Sequence, residues 1–128
     1  MNILLDTHVA LWAATDSPRL GNRARQLIMD ADNMIYTSAA TIWEIAIKHG
    51  LARKKMPISG ERAISYFVAA GYEMIPITAA HAAAVEDLPD HHRDPFDRLL
   101  IAQAISEPLH LLTHDRKLGA YSDLVVTV

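Results

Sequence analysis

Twice in this chain an apolar run stops on an aspartate, and no other feature constrains the fold as much. Asn2-Ile3-Leu4-Leu5 runs into Asp6, and Leu109-His110-Leu111-Leu112-Thr113 reaches Asp115 after one intervening residue. Short continuous apolar runs suit strands buried on both faces, as in a parallel sheet covered by helices. The stretches between them alternate in the matching sense. A segment with Leu11 and Trp12 leads into the breaker Asp16-Ser17-Pro18, and a helix is predicted from about Gly21. Met34 to Thr37 reads as a strand, followed by a helix with Ser38 as N-cap and Gly50 as C-cap. Helix is predicted again from Gly60 to Ala70, strand from Glu73 to Ile77, and an Ala-rich helix from Ala79 to Leu88 capped by Thr78. After the loop Pro89-Asp90-His91-His92-Arg93, the pattern gives a helix over Pro95 to Ser106 and a last strand over Leu124 to Val128. This alternation predicts an α/β fold with a mainly parallel central sheet flanked by helices.

Composition sets the outer bounds. With 128 residues, 51% of them hydrophobic and 21% charged, the chain is expected to form a single domain over residues 1–128. A core of this size buries roughly two-thirds of the unfolded surface, so packing alone can stabilise it. The absence of cysteine excludes disulfide scaffolds, thiolate zinc sites and cysteine nucleophiles. Twelve Lys and Arg against 15 Asp and Glu give a formal charge of −3, which argues against nucleic-acid binding by bulk positive charge. The first apolar run is far too short for a signal-peptide core, and no segment approaches the ~18 apolar residues of a membrane span. The expected location is cytoplasmic, with no membrane partner.

Open α/β sheets bind ligands outside the carboxyl ends of their strands, so the acids there matter most. Asp6 and Asp115 both lie at such ends; alone, each would pass for an ordinary loop aspartate. Glu44 interrupts Ala39-Ala40-Thr41-Ile42-Trp43-Glu44-Ile45-Ala46-Ile47, a segment apolar around most of a helix. A carboxylate there must be paired, protonated or bound to a metal, and Lys48 offers an i,i+4 partner. Asp94 reads as an N-cap, Pro95 as the first helical residue and Asp97 as a first-turn acid. Capping accounts for Asp94; Asp97, fixed at the start of a core helix, is the better functional candidate. Four acids from separate elements, without cysteine or zinc-type histidine spacing, suit a hard divalent cation such as Mg²⁺ or Mn²⁺. Asp6, Glu44, Asp97 and Asp115 are therefore the candidate metal ligands and catalytic residues, for in-line hydrolysis of a phosphodiester.

The remaining polar residues are less specific. No HExxH pattern and no G-x-S-x-G elbow occurs, which argues against zinc hydrolase and serine hydrolase chemistry. His91 and His92 are adjacent and would point apart in an extended loop; His8, two residues beyond Asp6, reads equally as a substrate-facing residue or as a loop histidine with no role, and His110 as a packed strand residue. Arg93, Arg98 and Arg116, with Lys117, flank the acids and are the candidate phosphate contacts, which position a nucleic acid without reading its sequence. Salt-sensitive binding is the expected signature. Arg53-Lys54-Lys55 is a further basic cluster, as readily explained as solvated loop charge. Trp43 is expected in the core, and neither it nor Trp12 is assigned a stacking role. The Trp- and Ile-rich segment around Trp43 has more apolar surface than a small domain easily covers, and dimerisation would use it.

Read in order, Asn2-Ile3-Leu4-Leu5-Asp6-Thr7-His8, Trp43-Glu44-Ile45, Asp94-Pro95-Phe96-Asp97-Arg98-Leu99-Leu100-Ile101-Ala102-Gln103-Ala104 and Leu112-Thr113-His114-Asp115 resemble the PIN-domain ribonucleases, specifically VapC-type toxins of prokaryotic toxin–antitoxin pairs. The resemblance spans almost the whole chain. It implies a PIN-like three-layer fold in which Asp6, Glu44, Asp97 and Asp115 match the acidic quartet that binds Mg²⁺ or Mn²⁺, and Thr113 a position that hydrogen-bonds the site. It further implies endonucleolytic cleavage of RNA, homodimerisation and neutralisation by a cognate VapB-like antitoxin whose tail covers the active site. Two other classes fit the acids. A non-catalytic interaction module would pair them with Arg93, Arg98 or Lys48. A phosphoaspartate-type phosphoryl-transfer domain would need a second acid at the first strand and a lysine loop near the last.

Overall fold

A computed structural model describes residues 1–128. Its centre is a five-stranded sheet made of β1 (Asn2–Leu5), β2 (Met34–Ser38), β3 (Glu73–Ile75), β4 (His110–Thr113) and β5 (Val125–Thr127), in the order β3-β2-β1-β4-β5. All four neighbouring pairs are parallel. The helices are α1 (Thr7–Ala14), α2 (Asn22–Met29), α3 (Ala39–Leu51), α4 (Gly60–Ala69), α5 (Ala79–Ala84) and α6 (Pro95–Ser106). Short 3₁₀ turns cover Val85–Asp87 and Arg116–Ala120.

Successive side chains of a strand point to opposite faces, and β1 shows the consequence. Ile3 and Leu5 belong to a core with Val9, Ala24, Ala63 and Phe67 from α1, α2 and α4. Leu4 turns the other way and joins Ala40, Leu100, Ile101 and Leu111, from α3, α6 and β4. Both faces are thus dry, which is why the strand is apolar from Ile3 to Leu5. Register is fixed by the same pattern: Leu5 sits beside Leu112, which shares its face.

Side-chain caps start the helices. Ser38 Oγ accepts from the Ala40 amide at the head of α3 and donates to Gln103 Oε1, tying α3 to α6. Ser59 caps α4, and Thr78 with His81 forms a reciprocal capping box on α5. α3 and α4 approach closely at Gly60, where a Cβ would lie 3.2 Å from Ala46 Cβ and 3.3 Å from the Ile42 carbonyl.

Three expectations need correction. The chain after Asp6 is a helix at once, because the Asp6 carboxylate accepts from the Val9 amide and caps α1. That makes His8 a helical residue and not a loop one. α3 continues through Gly50 to Leu51, its last carbonyls being met by the Ala52 amide, so Gly50 is no C-cap. Trp43 lies outside the core at 52% exposure, its ring edge-on to Phe96.

Candidate active site

The strand order reverses beside β1, with β2 and β3 on one side and β4 and β5 on the other. This switch point opens a crevice beyond the strand ends. Asp6 leaves β1 there, and Thr113 and Asp115 leave β4.

One hydrogen-bond chain joins the two strand ends. Thr113 Oγ1 donates to Asp6 Oδ2 and accepts the Asp115 amide at 3.0 Å, while Asp6 Oδ1 accepts the Val9 amide at 2.8 Å. Asp6 is 3% exposed, and this burial pushes its carboxyl above the usual range against the pull of Thr113, Val9, His8 and His114. Asp115 caps the 3₁₀ turn that follows, accepting from the Lys117 amide at 3.0 Å.

α6 delivers the next acid. Asp94 accepts from the amides of Phe96 and Asp97, with Pro95 in the first turn, so the capping role expected for it is the one it fills. The cap fixes Asp97 in the first turn, where burial and the neighbouring charges of Asp94 and Asp6 push its carboxyl up to about 6. His92 Nε2 lies 2.8 Å from Asp97 Oδ2 and opposes that rise. Ligand atoms of His92, Asp97 and Asp115 all fall within 4.8 Å of one another. Sequence reasoning missed His92, because adjacency to His91 says nothing about how a loop folds back onto the helix it precedes.

Glu44 is held apart from this group. It is 2% exposed and accepts from the Thr7 hydroxyl at 2.7 Å and from the Lys48 ammonium at 2.5 Å. The i,i+4 pairing with Lys48 therefore forms, with Glu44 buried and Lys48 reaching it from a partly exposed position. Thr7, next in sequence to Asp6, connects Glu44 to the same crevice.

The arginines separate into two kinds. Arg93 and Arg116 are exposed, with no side-chain partner, at the rim of the crevice. Arg98 is not available to a phosphate, which corrects its assignment. Its guanidinium donates to the carbonyls of Val85, Leu88, Pro89 and His92 and to the Tyr121 hydroxyl. Tyr121 in turn donates to the His92 carbonyl and accepts the His91 amide. Arg98 thus pins the loop that presents His92. Arg98→Ala is expected to cost about 2 kcal/mol in urea unfolding, because several carbonyls lose a charged donor. Amide exchange should quicken over residues 88–93; unchanged exchange there would refute the pinning role.

A cluster of oxygen donors with one imidazole, partly buried and short of positive charge, fits a hard divalent cation. Asp6, Asp97 and Asp115 have no Lys or Arg partner, in contrast to Glu44.

A parallel sheet with acids at its switch point defines a class, and comparison with known proteins says which. Residues 3–124 match the PIN domain. The chain belongs to the PIN-domain family. It is 33% identical over 122 residues to Ribonuclease VapC22 of Mycobacterium tuberculosis, covering 93% of this chain and 91% of that protein. The fold is shared with VapBC2 of Rickettsia felis, solved bound to a promoter DNA fragment, at a TM-score of 0.70 and 18% identity, covering 100% of this chain and 98% of that one. It is shared also with VapC20 of Mycobacterium tuberculosis, a sarcin-ricin loop cleaving toxin, at a TM-score of 0.64 and 15% identity over 94% of this chain and 97% of that one.

Proposed function

We propose that residues 1–128 form a single nuclease domain, a divalent-metal-dependent endoribonuclease acting as the toxin of a toxin–antitoxin pair. The observation that carries this reading is the convergence of Asp6, Asp97 and Asp115 at the sheet's switch point with no Lys or Arg partner, His92 alone bridging to Asp97. A non-catalytic module would have neutralised them; of the four acids only Glu44 is paired with a Lys or Arg. The 33% identity to a ribonuclease supports the same reaction class.

Asp6, Asp97 and Asp115 would hold Mg²⁺ or Mn²⁺, while the Glu44 carboxylate is engaged by Thr7 and Lys48. Such a cation, when bound, polarises a phosphoryl oxygen and lowers the pKa of water. The chain supplies the rest. Asp97 is placed to take a proton from the attacking water at Oδ1, the oxygen that His92 leaves free. The water oxygen bonds to phosphorus as the bond to the leaving oxygen breaks. His92 holds Asp97 in place, and Thr113 does the same for Asp6. Arg93 and Arg116 meet the flanking phosphates, so RNA binding should weaken as salt rises. The partner that silences this site is a VapB-like antitoxin, and the apolar surface around Trp43 supports a homodimer. No helix is long and apolar enough to cross a membrane, and an RNA substrate places the work in the cytoplasm.

The test is to incubate the protein with total cellular RNA and Mn²⁺ and to map new 5′ ends by sequencing. Discrete ends that appear with Mn²⁺ and vanish with chelator support the reading. An unaltered RNA population in both conditions contradicts it.

A further inference from the structure

Beside the acids lies a groove that the proposed chemistry does not use. Three rings gather here, His8 and Trp12 in the groove's lining and His114 packed against them: Trp12 and His114 at 4.7 Å between centroids, His8 and Trp12 at 5.9 Å, and His8 and His114 at 6.0 Å. His8 and Trp12 stand four residues apart on one face of α1, and His114 directly precedes Asp115. The rings therefore abut the crevice on its β1 and β4 side. His8 and Trp12 open onto a cavity of about 300 Å³ that is also lined by Arg19, Lys55 and Pro57. That volume sits at the small end of ligand pockets. The Arg19 guanidinium and the Lys55 ammonium make no hydrogen bond or ion pair, although both are free to turn toward an anion. The rings meet tilted or edge-on, Trp12 half-buried and His8 exposed, so ring faces remain open to the groove. Accessible aromatic faces beside unpaired cations are the combination that binds single-stranded nucleic acid, by stacking each base and meeting its phosphate.

We propose that this groove is a nucleobase subsite, in which a base neighbouring the scissile phosphate stacks against Trp12 and the histidine rings while Arg19 and Lys55 meet the adjoining phosphates. The proposal rests on the ribonuclease reading for its substrate. It adds which part of the molecule senses the base beside the cut. Lys55 to Ile58 form one wall, so of the basic cluster Arg53-Lys54-Lys55 only Lys55 acquires a use.

Binding is tested without metal, so that it is separated from cleavage. The probes are fluorescein-labelled 2′-O-methyl oligouridylate and oligoadenylate, with an abasic ribose-phosphate oligomer of equal length as control. Anisotropy is read in chelator, and quenching of the single remaining tryptophan is read in a Trp43→Phe background. The expected result is saturable quenching of Trp12 and about a tenfold rise in Kd for Trp12→Leu and His114→Ala, with Trp12→Phe close to wild type. Should Trp12→Leu fail to fold, the exposed His8→Ala and His114→Ala carry the comparison. Equal affinity for abasic and base-bearing oligomers, or binding without Trp12 quenching, overturns the subsite. Metal-dependent cleavage is scored separately on cellular RNA. Cleavage without Trp12 quenching sinks the subsite and leaves the ribonuclease reading intact. Base-dependent quenching with no cleavage upholds a base site and sinks the ribonuclease.

Discussion

Asp97→Asn is expected to reduce RNA cleavage on the order of a thousandfold while making the metal-free protein more stable. The two effects have one cause. Burial and the charges of Asp94 and Asp6 raise the Asp97 carboxyl from 3.8 to about 6, so the native state binds its proton more tightly than the unfolded chain does. The contribution to stability is complete below pH 3.8 and is lost as pH rises through about 6. At neutral pH the ionised group therefore opposes folding. Asparagine has no charge to lose, keeps the shape, and should gain about 1 to 2 kcal/mol above pH 6 once partial exposure is discounted. Urea midpoints of wild type and Asp97→Asn at pH 4, 5, 6 and 7 check this. The gap should open between pH 4 and pH 6 and stay flat above. A variant that loses activity and stability together would show Asp97 to be a structural cap and no part of a metal site. Asp6→Asn should lose cleavage to a similar extent, and its N-cap survives because an asparagine oxygen still accepts the Val9 amide.

Manganese is expected to raise the thermal midpoint of the wild type by roughly 10 °C at a hundredfold excess over its Kd. A cation that binds only the folded chain stabilises it by mass action, and here it also screens carboxylates that repel one another without it. Asp6→Asn and Asp97→Asn should start higher and respond little. The crossover between the two curves is the informative quantity, since general salt effects would shift all three proteins alike. Equal responses in wild type and variants would remove the cation from Asp6 and Asp97. Glu44→Gln should respond nearly as the wild type does, because its carboxylate already spends one oxygen on Lys48 and the other on Thr7.

Both predictions turn on residues that the chain announces and on contacts that it does not. The sheet was legible because parallel strands covered on both faces must be apolar where they are buried, as Ile3-Leu4-Leu5 of β1 and Leu111-Leu112 of β4 are. Asp6, Asp97 and Asp115 were legible because strand ends and helix starts have fixed relations to the sheet edge, so an acid at such a place has one direction to go. The cap that Asp94 places on α6 follows from local geometry alone.

Long-range pairings decided the rest. Whether Glu44 faced a metal or Lys48 depended on a helix rotation that an all-round apolar sequence leaves open, and the fold buries it beside Thr7 within reach of the partly exposed Lys48. His92 enters the site only because Arg98 and Tyr121 hold its loop against the head of α6. The same contacts withdraw Arg98 from the phosphate role that its position in sequence implied. Trp12 meets His114 across more than a hundred residues of chain, through the pairing of β1 with β4. Local sequence thus determined which elements form and which acids stand at their ends, because caps and periodicity act within a few residues. Only the tertiary structure decided which of those groups share a crevice, because that depends on how separate elements pack.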